Sequence, residues 1–291
     1  MIFILVMLTV SGCTKYEFTQ TDQYIVTPKQ AISLAEEGAV LVDVRPAGDY
    51  AAEHITGAIN IPMSALVTNE PYNNMLPEAG QLEQVLGAAG ITENDMLLVY
   101  DDASNMQAAR VQWTLNAYSN LNIKVVSGGI TALTKANAET TNQEVMLPAT
   151  EYKAGEKEKT LIVSLAYVQM LLDNPEEKTV IVDTRSNEEY AEGTIPGAIH
   201  IEYIWNNYAS GQYKSAQDIQ STYIGKDILP DMKIIVFCKT SVRATQTYTA
   251  LKDAGYQDVR VYDGAWLEYS ATGSPQSAPS QSVAPSQQDA S

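Results

Sequence analysis

Two stretches of the chain repeat one order of apolar and polar positions. "IVTPKQAISLAEEGAVLVDVR" from Ile25 and "IVSLAYVQMLLDNPEEKTVIVDTR" from Ile162 each open on an apolar pair. Each then passes through apolar positions three or four apart and ends on a short, continuous apolar run. The short runs predict buried strands, and the spacing between them predicts an amphipathic helix. Thr27 and Ser164 stand where an N-cap hydroxyl would accept a free backbone N–H, and Pro28 falls at the first helical position, where a missing N–H costs nothing. Farther on, "MLLVY" ending at Tyr100 and "IIVF" ending at Phe237 predict a second buried strand in each half. Helical patterns follow, with Ala108, Val111, Leu115 and Tyr118 facing inward in one and Ala244, Tyr248 and Leu251 in the other; Gly255 is placed to end the latter. "KVVSGG" and "VRVYDG" supply a third strand each. Strands alternating with helices, and apolar throughout, imply an α/β fold in which each half is a central parallel β-sheet flanked by helices on both faces.

The repeat extends to residue identity. "VDVRPAGDYAAEHITGAINI" from Val42 aligns without a gap on "VDTRSNEEYAEGTIPGAIHI" from Val182, sharing Asp-x-Arg, a Tyr five residues after the Arg, and Ile-x-Gly-Ala-Ile. A repeat of this kind reads as two domains, and 291 residues can give each its own core. The expected boundaries are 22–135 and 161–270. Residues 136–160 have the polar, mixed composition of a linker. Residues 271–291, rich in Ser, Pro and Gln with no apolar period, are expected to be disordered.

The start of the chain changes the picture of where the protein works. "MIFILVMLTVSGC" is an apolar run of about ten residues, half of the ~20 that span a bilayer, and it suits the apolar part of a secretory signal. Val10-Ser11-Gly12-Cys13 resembles the bacterial lipobox, which implies a signal over residues 1–13, lipidation at Cys13, and an exported lipoprotein held at a membrane of the cell envelope by its lipid alone. No Lys or Arg precedes the run, and a buried first strand is the alternative. Thirty-five acidic against eighteen basic residues give a formal charge of −17. That field repels nucleic acid and anionic lipid, so nucleic-acid partners are not expected.

Only two cysteines are present. With Cys13 lipidated, Cys238 has no partner in the chain, and a thiol kept free in an exported protein points to reactivity. Cys238 falls just past the carboxyl end of a predicted central strand, where open α/β sheets bind ligands. The six-residue loop from Cys238 to Arg243 would aim backbone N–H groups inward, in front of a helix N-terminus, an arrangement that favours an anion. Lys239 and Arg243 add positive charge against the acidic trend of the chain. The competing reading is a small buried hydrophobe.

These residues together resemble a known family. The Asp-x-Arg strand end, the "GAIHI" turn, the Cys238 loop and "VYDGAW" are similar to the tandem rhodanese-domain sulfurtransferases, the thiosulfate and 3-mercaptopyruvate sulfurtransferase family, over about residues 24 to 269. The resemblance implies two rhodanese-like domains, a silent first domain with Asp101 in place of the cysteine, and a catalytic second domain. Cys238 would take a sulfane sulfur from a small donor anion as a persulfide and pass it to cyanide or a thiol, with no cofactor and no metal. Arg185 matches the family's arginine for the donor anion, and Lys239, Thr240, Ser241, Val242 and Arg243 would form the substrate-binding loop, with Asp183 holding loop backbone. The loop cations favour thiosulfate over 3-mercaptopyruvate; Thr240 and Ser241 stand where the family commonly has glycine. His54 matches a His-x-x-Gly turn motif of the family and is expected to be structural, as are Arg45 and Arg110. The Cys-x4-Arg spacing is one residue shorter than in rhodanese-related phosphatases, which disfavours phosphatase or arsenate reductase chemistry. A non-catalytic sulfur carrier or oxyanion-binding lipoprotein is the alternative from another class.

Overall fold

The computed structural model describes residues 21–273. Cys13, the rest of the expected signal and all but the first three residues of the expected tail lie outside them.

The first domain contains β1 (Ile25–Val26), α1 (Pro28–Glu36), β2 (Val40–Asp43), α2 (Ala47–Ala52), β3 (Ile59–Asn60), α3 (Ala79–Ala88), β4 (Leu97–Tyr100), α4 (Met106–Asn116), β5 (Ile123–Val126) and α5 (Gly129–Lys135). The second repeats it with β6 (Ile162–Val163), α6 (Leu165–Asp173), β7 (Thr179–Asp183), α7 (Asn187–Glu192), β8 (Ile199–His200), α8 (Ala216–Ile224), β9 (Lys233–Phe237), α9 (Val242–Asp253), β10 (Asp258–Tyr262) and α10 (Ala265–Ala271). Each domain has a five-stranded parallel sheet, ordered β1-β5-β4-β2-β3 and β6-β10-β9-β7-β8.

Local chemistry sets the helix starts as expected. The Thr27 hydroxyl accepts from the Gln30 N–H while the Gln30 side chain reaches back to the Thr27 N–H, a reciprocal cap with Pro28 at the first position. Ser164 accepts from the Tyr167 N–H at the start of α6. Gly255, with φ +87°, follows the end of α9 in the left-handed conformation.

The strands alternate between two faces. On β4, Leu97 and Val99 join a core with α3 and α4, whereas Leu98 and Tyr100 pack with α1 and α5. On β9, Ile234 and Val236 face the first kind of core, and Ile235 and Phe237 face one built with α6 and α10. That first core is shared by both domains, because α4 and α9 pack on each other across the boundary. The two helices are buried on almost every side, including Gln112, Thr114, Gln246 and Thr249. Gln112 shows why polar residues are tolerated there: it donates to the carbonyls of Tyr24 and Ile123 and accepts from Thr249 Oγ1 of the other domain at 2.7 Å.

Residues 136–160, expected as a linker, run along the first domain. Thr140–Thr141 pairs antiparallel with His54–Ile55, the Thr150 N–H donates to Gly87 O, and Tyr152 is buried. His54 is buried with its ring nitrogens against the carbonyls of Tyr50 and Gln143 and its ring stacked on Tyr50, so it ties the turn to this segment. Among the described residues no helix is long and apolar enough to cross a membrane.

Candidate active site at Cys238

The alternation along β9 aims the next residue, Cys238, at the core shared by the domains. The residue is 1% exposed and its thiol is free. Its carbonyl accepts the Trp266 N–H at 2.9 Å, and the carbonyl of the preceding Phe237 accepts the Thr184 N–H, which fix the chain at the sheet end. Lys239 is exposed and makes no ion pair among the described residues. Thr240 Oγ1 accepts from Asn74 Nδ2 of the first domain at 3.2 Å. Ser241 takes φ +66° and hands the chain to α9 at Val242. A left-handed corner is strained for a residue with a Cβ, and this is the physical reason glycine suits the position. Ser241 Oγ donates to the carbonyl of Asp263 at 2.5 Å.

Arg243, in the first turn of α9, lies beside the sulfur and reaches back to α7. Burial works against its charge, but hydrogen bonds to Glu189 and the nearby Cys238 outweigh this and hold the guanidinium above its ordinary value. Those same bonds from Arg243 pull the Glu189 carboxyl down to about 2. Of the two loop cations, then, one already has a carboxylate.

Arg185 is buried, with Nε 3.0 Å and Nη2 2.5 Å from the carboxylate of Asp183, and Nη2 donating to Gly193 O. Its guanidinium lies 4.2 Å over the Trp266 ring. Asp183 also accepts the Arg185 backbone N–H and the Thr194 hydroxyl, so it holds backbone at the end of β7, opposite Phe237 on the neighbouring strand. Arg45 and Asp43 form the same arrangement in the first domain, where no cysteine is present. The environment of Arg185 is therefore that of a structural ion pair. Val242 opens α9 and is half-buried.

The first domain supplies an internal comparison. Asp43 opposes Tyr100 as Asp183 opposes Phe237, which makes Asp101 the equivalent of Cys238. The fully buried Asp101 carboxylate accepts four backbone N–H groups, from Ala103 and Asn105 on Oδ1 and from Gln107 and Ala108 on Oδ2, at 2.8 to 3.1 Å. Burial pushes this carboxyl up and the four donors pull it back. A loop of this design is a built cradle for a negative group. Asn105 repeats the left-handed corner of Ser241, at φ +67°.

Several residues at the site carried no sequence signal. Tyr203 is half-buried where the charges of Arg243, Glu202, Cys238 and Asp101 all reach its phenol, which burial raises. Glu189, Asn74 and Asp263 are brought to the loop from elements distant in sequence; only the repeat, which puts Asp263 in "VYDG", could have drawn attention to the last. Among the described residues no group of three or more His, Cys, Asp or Glu could hold a metal ion.

A two-domain parallel α/β protein with one free thiol among its described residues, in the loop at one sheet end, defines a narrow class. The rhodanese-like domain family matches twice, over residues 27–136 and 164–272, and the chain belongs to that family. A curated relative, the 3-mercaptopyruvate sulfurtransferase of Escherichia coli K12, is 26% identical over 242 residues, covering 79% of this chain and 84% of the relative. A protein of Saccharopolyspora erythraea named as a putative thiosulfate sulfurtransferase is 27% identical over 255 residues, covering 81% and 89%. Among solved structures, SseA from Escherichia coli superposes with a TM-score of 0.75 at 23% identity, covering 84% of this chain and 99% of that one. EanB in complex with hercynine superposes with a TM-score of 0.79 at 20% identity, covering 90% and 70%. At those identities the two structures establish the fold.

Proposed function

We propose that this protein is a sulfurtransferase that carries a sulfane sulfur on Cys238, taking it from thiosulfate and giving it to a thiophilic acceptor. The observation that carries the reading is the equivalence of the two loops. Where the first domain holds the Asp101 carboxylate on four backbone N–H groups, the second presents a free thiol at the same point of the fold. A persulfide, like the Asp101 carboxylate, places its anionic atom two bonds beyond Cβ.

In the first half-reaction the Cys238 thiolate attacks the outer sulfur of thiosulfate. A new S–S bond forms, the donor's own S–S bond breaks, and sulfite departs with its electron pair. In the second, cyanide or a thiolate attacks the terminal sulfur, giving thiocyanate or a new persulfide and returning the Cys238 thiolate. Lys239, exposed at the second loop position, draws the donor against the net negative charge of the protein. Arg243 supplies positive charge at the sulfur while Glu189 fixes its direction. Arg185 acts on the loop through Trp266 rather than on the donor. The preference for thiosulfate rests on Lys239; 3-mercaptopyruvate is the competing donor. Acylation at Cys13 would hold both domains at an envelope membrane, and Cys13→Ala should move the protein from the membrane fraction to the soluble one.

The test is the intact mass of the full-length chain after brief exposure to thiosulfate. A gain of about 32 mass units, one sulfur held as a persulfide, that cyanide removes as thiocyanate is the expected result. One sulfur taken up with no further turnover in excess cyanide would indicate a carrier. No uptake from thiosulfate or 3-mercaptopyruvate would overturn the reading.

A further inference from the structure

A buried charge pair joins the silent domain to the Cys238 loop. Arg110 of α4 is 0% exposed, and its Nη1 donates to Oδ1 of Asp263 at 2.8 Å. Its Nε and Nη2 are buried with no hydrogen-bond partner among the described residues. Asp263 follows β10 and is itself buried, and its Oδ2 accepts the Leu76 N–H at 2.7 Å. Both grips on this carboxylate come from the first domain. The backbone carbonyl of the same residue accepts Ser241 Oγ at the left-handed corner of the loop. Asn74, two residues before Leu76, holds Thr240 next to that corner.

The pseudo-symmetry of the molecule provides the control. Val99 opposes Val125 and Val236 opposes Val261, so Ser127 is the equivalent of Asp263. Arg110 and Gln246 are each the fifth residue of their helices. On that side Ser127 Oγ accepts the Tyr213 N–H at 2.9 Å, the counterpart of the Leu76 contact, and Gln246 Nε2 donates to Asn207 at 3.1 Å. Uncharged residues suffice to hold the loop of Asp101. The ion pair, whose burial is costly and whose contribution to stability is small, stands only on the side of the thiol. What a buried pair of this kind supplies is a fixed geometry.

We propose that Arg110 is a positioning residue for Cys238. Acting through Asp263, it locks the Ser241 corner, so the catalytically silent domain sets the shape of the loop that receives the sulfur. The consequence for catalysis rests on the sulfur-transfer reading; the effect on the loop does not.

The experiment replaces the pair by its neutral counterparts from the other half, Arg110→Gln with Asp263→Ser, in the full chain. Folding is checked by thermal melting, Cys238 accessibility by the rate of iodoacetamide alkylation, and sulfur loading by single-turnover mass measurement with thiosulfate. Release of the corner is expected to speed alkylation of the buried thiol by about tenfold through local opening and to slow loading by a similar factor. The thiosulfate concentration for half-maximal loading should stay unchanged, and Arg110→Lys, which keeps the charge, should recover part of the loss. Alkylation within about twofold of the wild-type rate in a folded double variant would overturn the proposal. Should the double variant fail to fold, Ser241→Ala decides by the same criterion, since it cuts only the hydroxyl's bonds to the carbonyls of Asp263 and Tyr262. A wild-type chain that takes up no sulfur removes the sulfur-transfer reading and leaves the alkylation comparison intact.

Discussion

Arg243 lays its two terminal nitrogens on the two carboxylate oxygens of Glu189, at 2.5 and 2.9 Å, while its guanidinium lies beside Cys238. The pair spans from the first turn of α9 to α7, and it decides how much of the loop's positive charge a donor can meet. Neutralising Glu189 should free that charge. Glu189→Gln is expected to lower the KM for thiosulfate by about fivefold, the equivalent of ~1 kcal/mol for a partly exposed ion pair. Steady-state kinetics with thiosulfate and cyanide would read it, and an unchanged or higher KM would show that Arg243 does not act on the donor.

The same pair sets an acid dependence of stability. Glu189 ionises at about 2 in the folded protein against an ordinary value of 4.5. Its folded value is depressed, so the unfolded chain binds the proton first as pH falls. The stabilisation is whole above about pH 4.5 and is lost on descending toward pH 2, amounting to about 1–2 kcal/mol once solvent screening is allowed for. Denaturant midpoints across that window should fall for the wild type more steeply than for Glu189→Gln.

Cys238→Ser should abolish sulfur uptake from thiosulfate while leaving a cooperative melt, because serine keeps the size of the side chain and loses its nucleophilicity at sulfur. Intact mass and circular dichroism on the same sample check both halves. Thiocyanate formation by the variant would sink the mechanism.

Arg185→Ala should act first on the fold. It leaves Asp183 buried and without its counter-charge, which costs about 3–5 kcal/mol. The guanidinium denaturation midpoint is the measurement. Unchanged stability together with a raised donor KM would assign Arg185 to the substrate instead.

Asp101→Asn should weaken the first domain. An amide offers one oxygen and turns its own N–H donors toward two of the four backbone N–H groups, leaving those two unsatisfied at about 1–3 kcal/mol each. Amide hydrogen exchange at Ala103, Asn105, Gln107 and Ala108 should accelerate together; unchanged protection would show that the carboxylate does not hold the loop.

Much of this was written in local sequence. The strands were legible because sheets covered on both faces need apolar runs with no polar break, and the helix starts because Thr27, Pro28 and Ser164 satisfy or dispense with free N–H groups that any helix must expose. The site was legible as far as one strand end reaches. The position of Cys238 followed from the repeat and from the apolar run before it, since the end of a central parallel strand faces the ligand side of the sheet.

The partners of that loop were not legible. Arg243 is five residues from Cys238, but the Glu189 that holds it lies 54 residues away in the chain, and Arg110 lies 153 from Asp263. Arg185 shows the same limit from the other side: its place beside Asp183 marks it for a charged role, but whether the guanidinium meets a donor or a carboxylate depends on which way a buried side chain turns.

By itself the sequence determined two α/β domains, the repeated succession of strands and helices along each, and a thiol at one sheet end, because periodicity, caps and turns act over a few residues. Tertiary structure decided the rest. Read alone, α4 and α9 have one apolar face each and should leave Gln112 and Thr249 in water; packed on each other they bury those residues and bond them across the boundary. Docking of the two domains brings Arg110 and Asn74 of the first domain to a loop of the second. No local pattern encodes it, since a long-range contact depends on where whole sheets and helices come to rest.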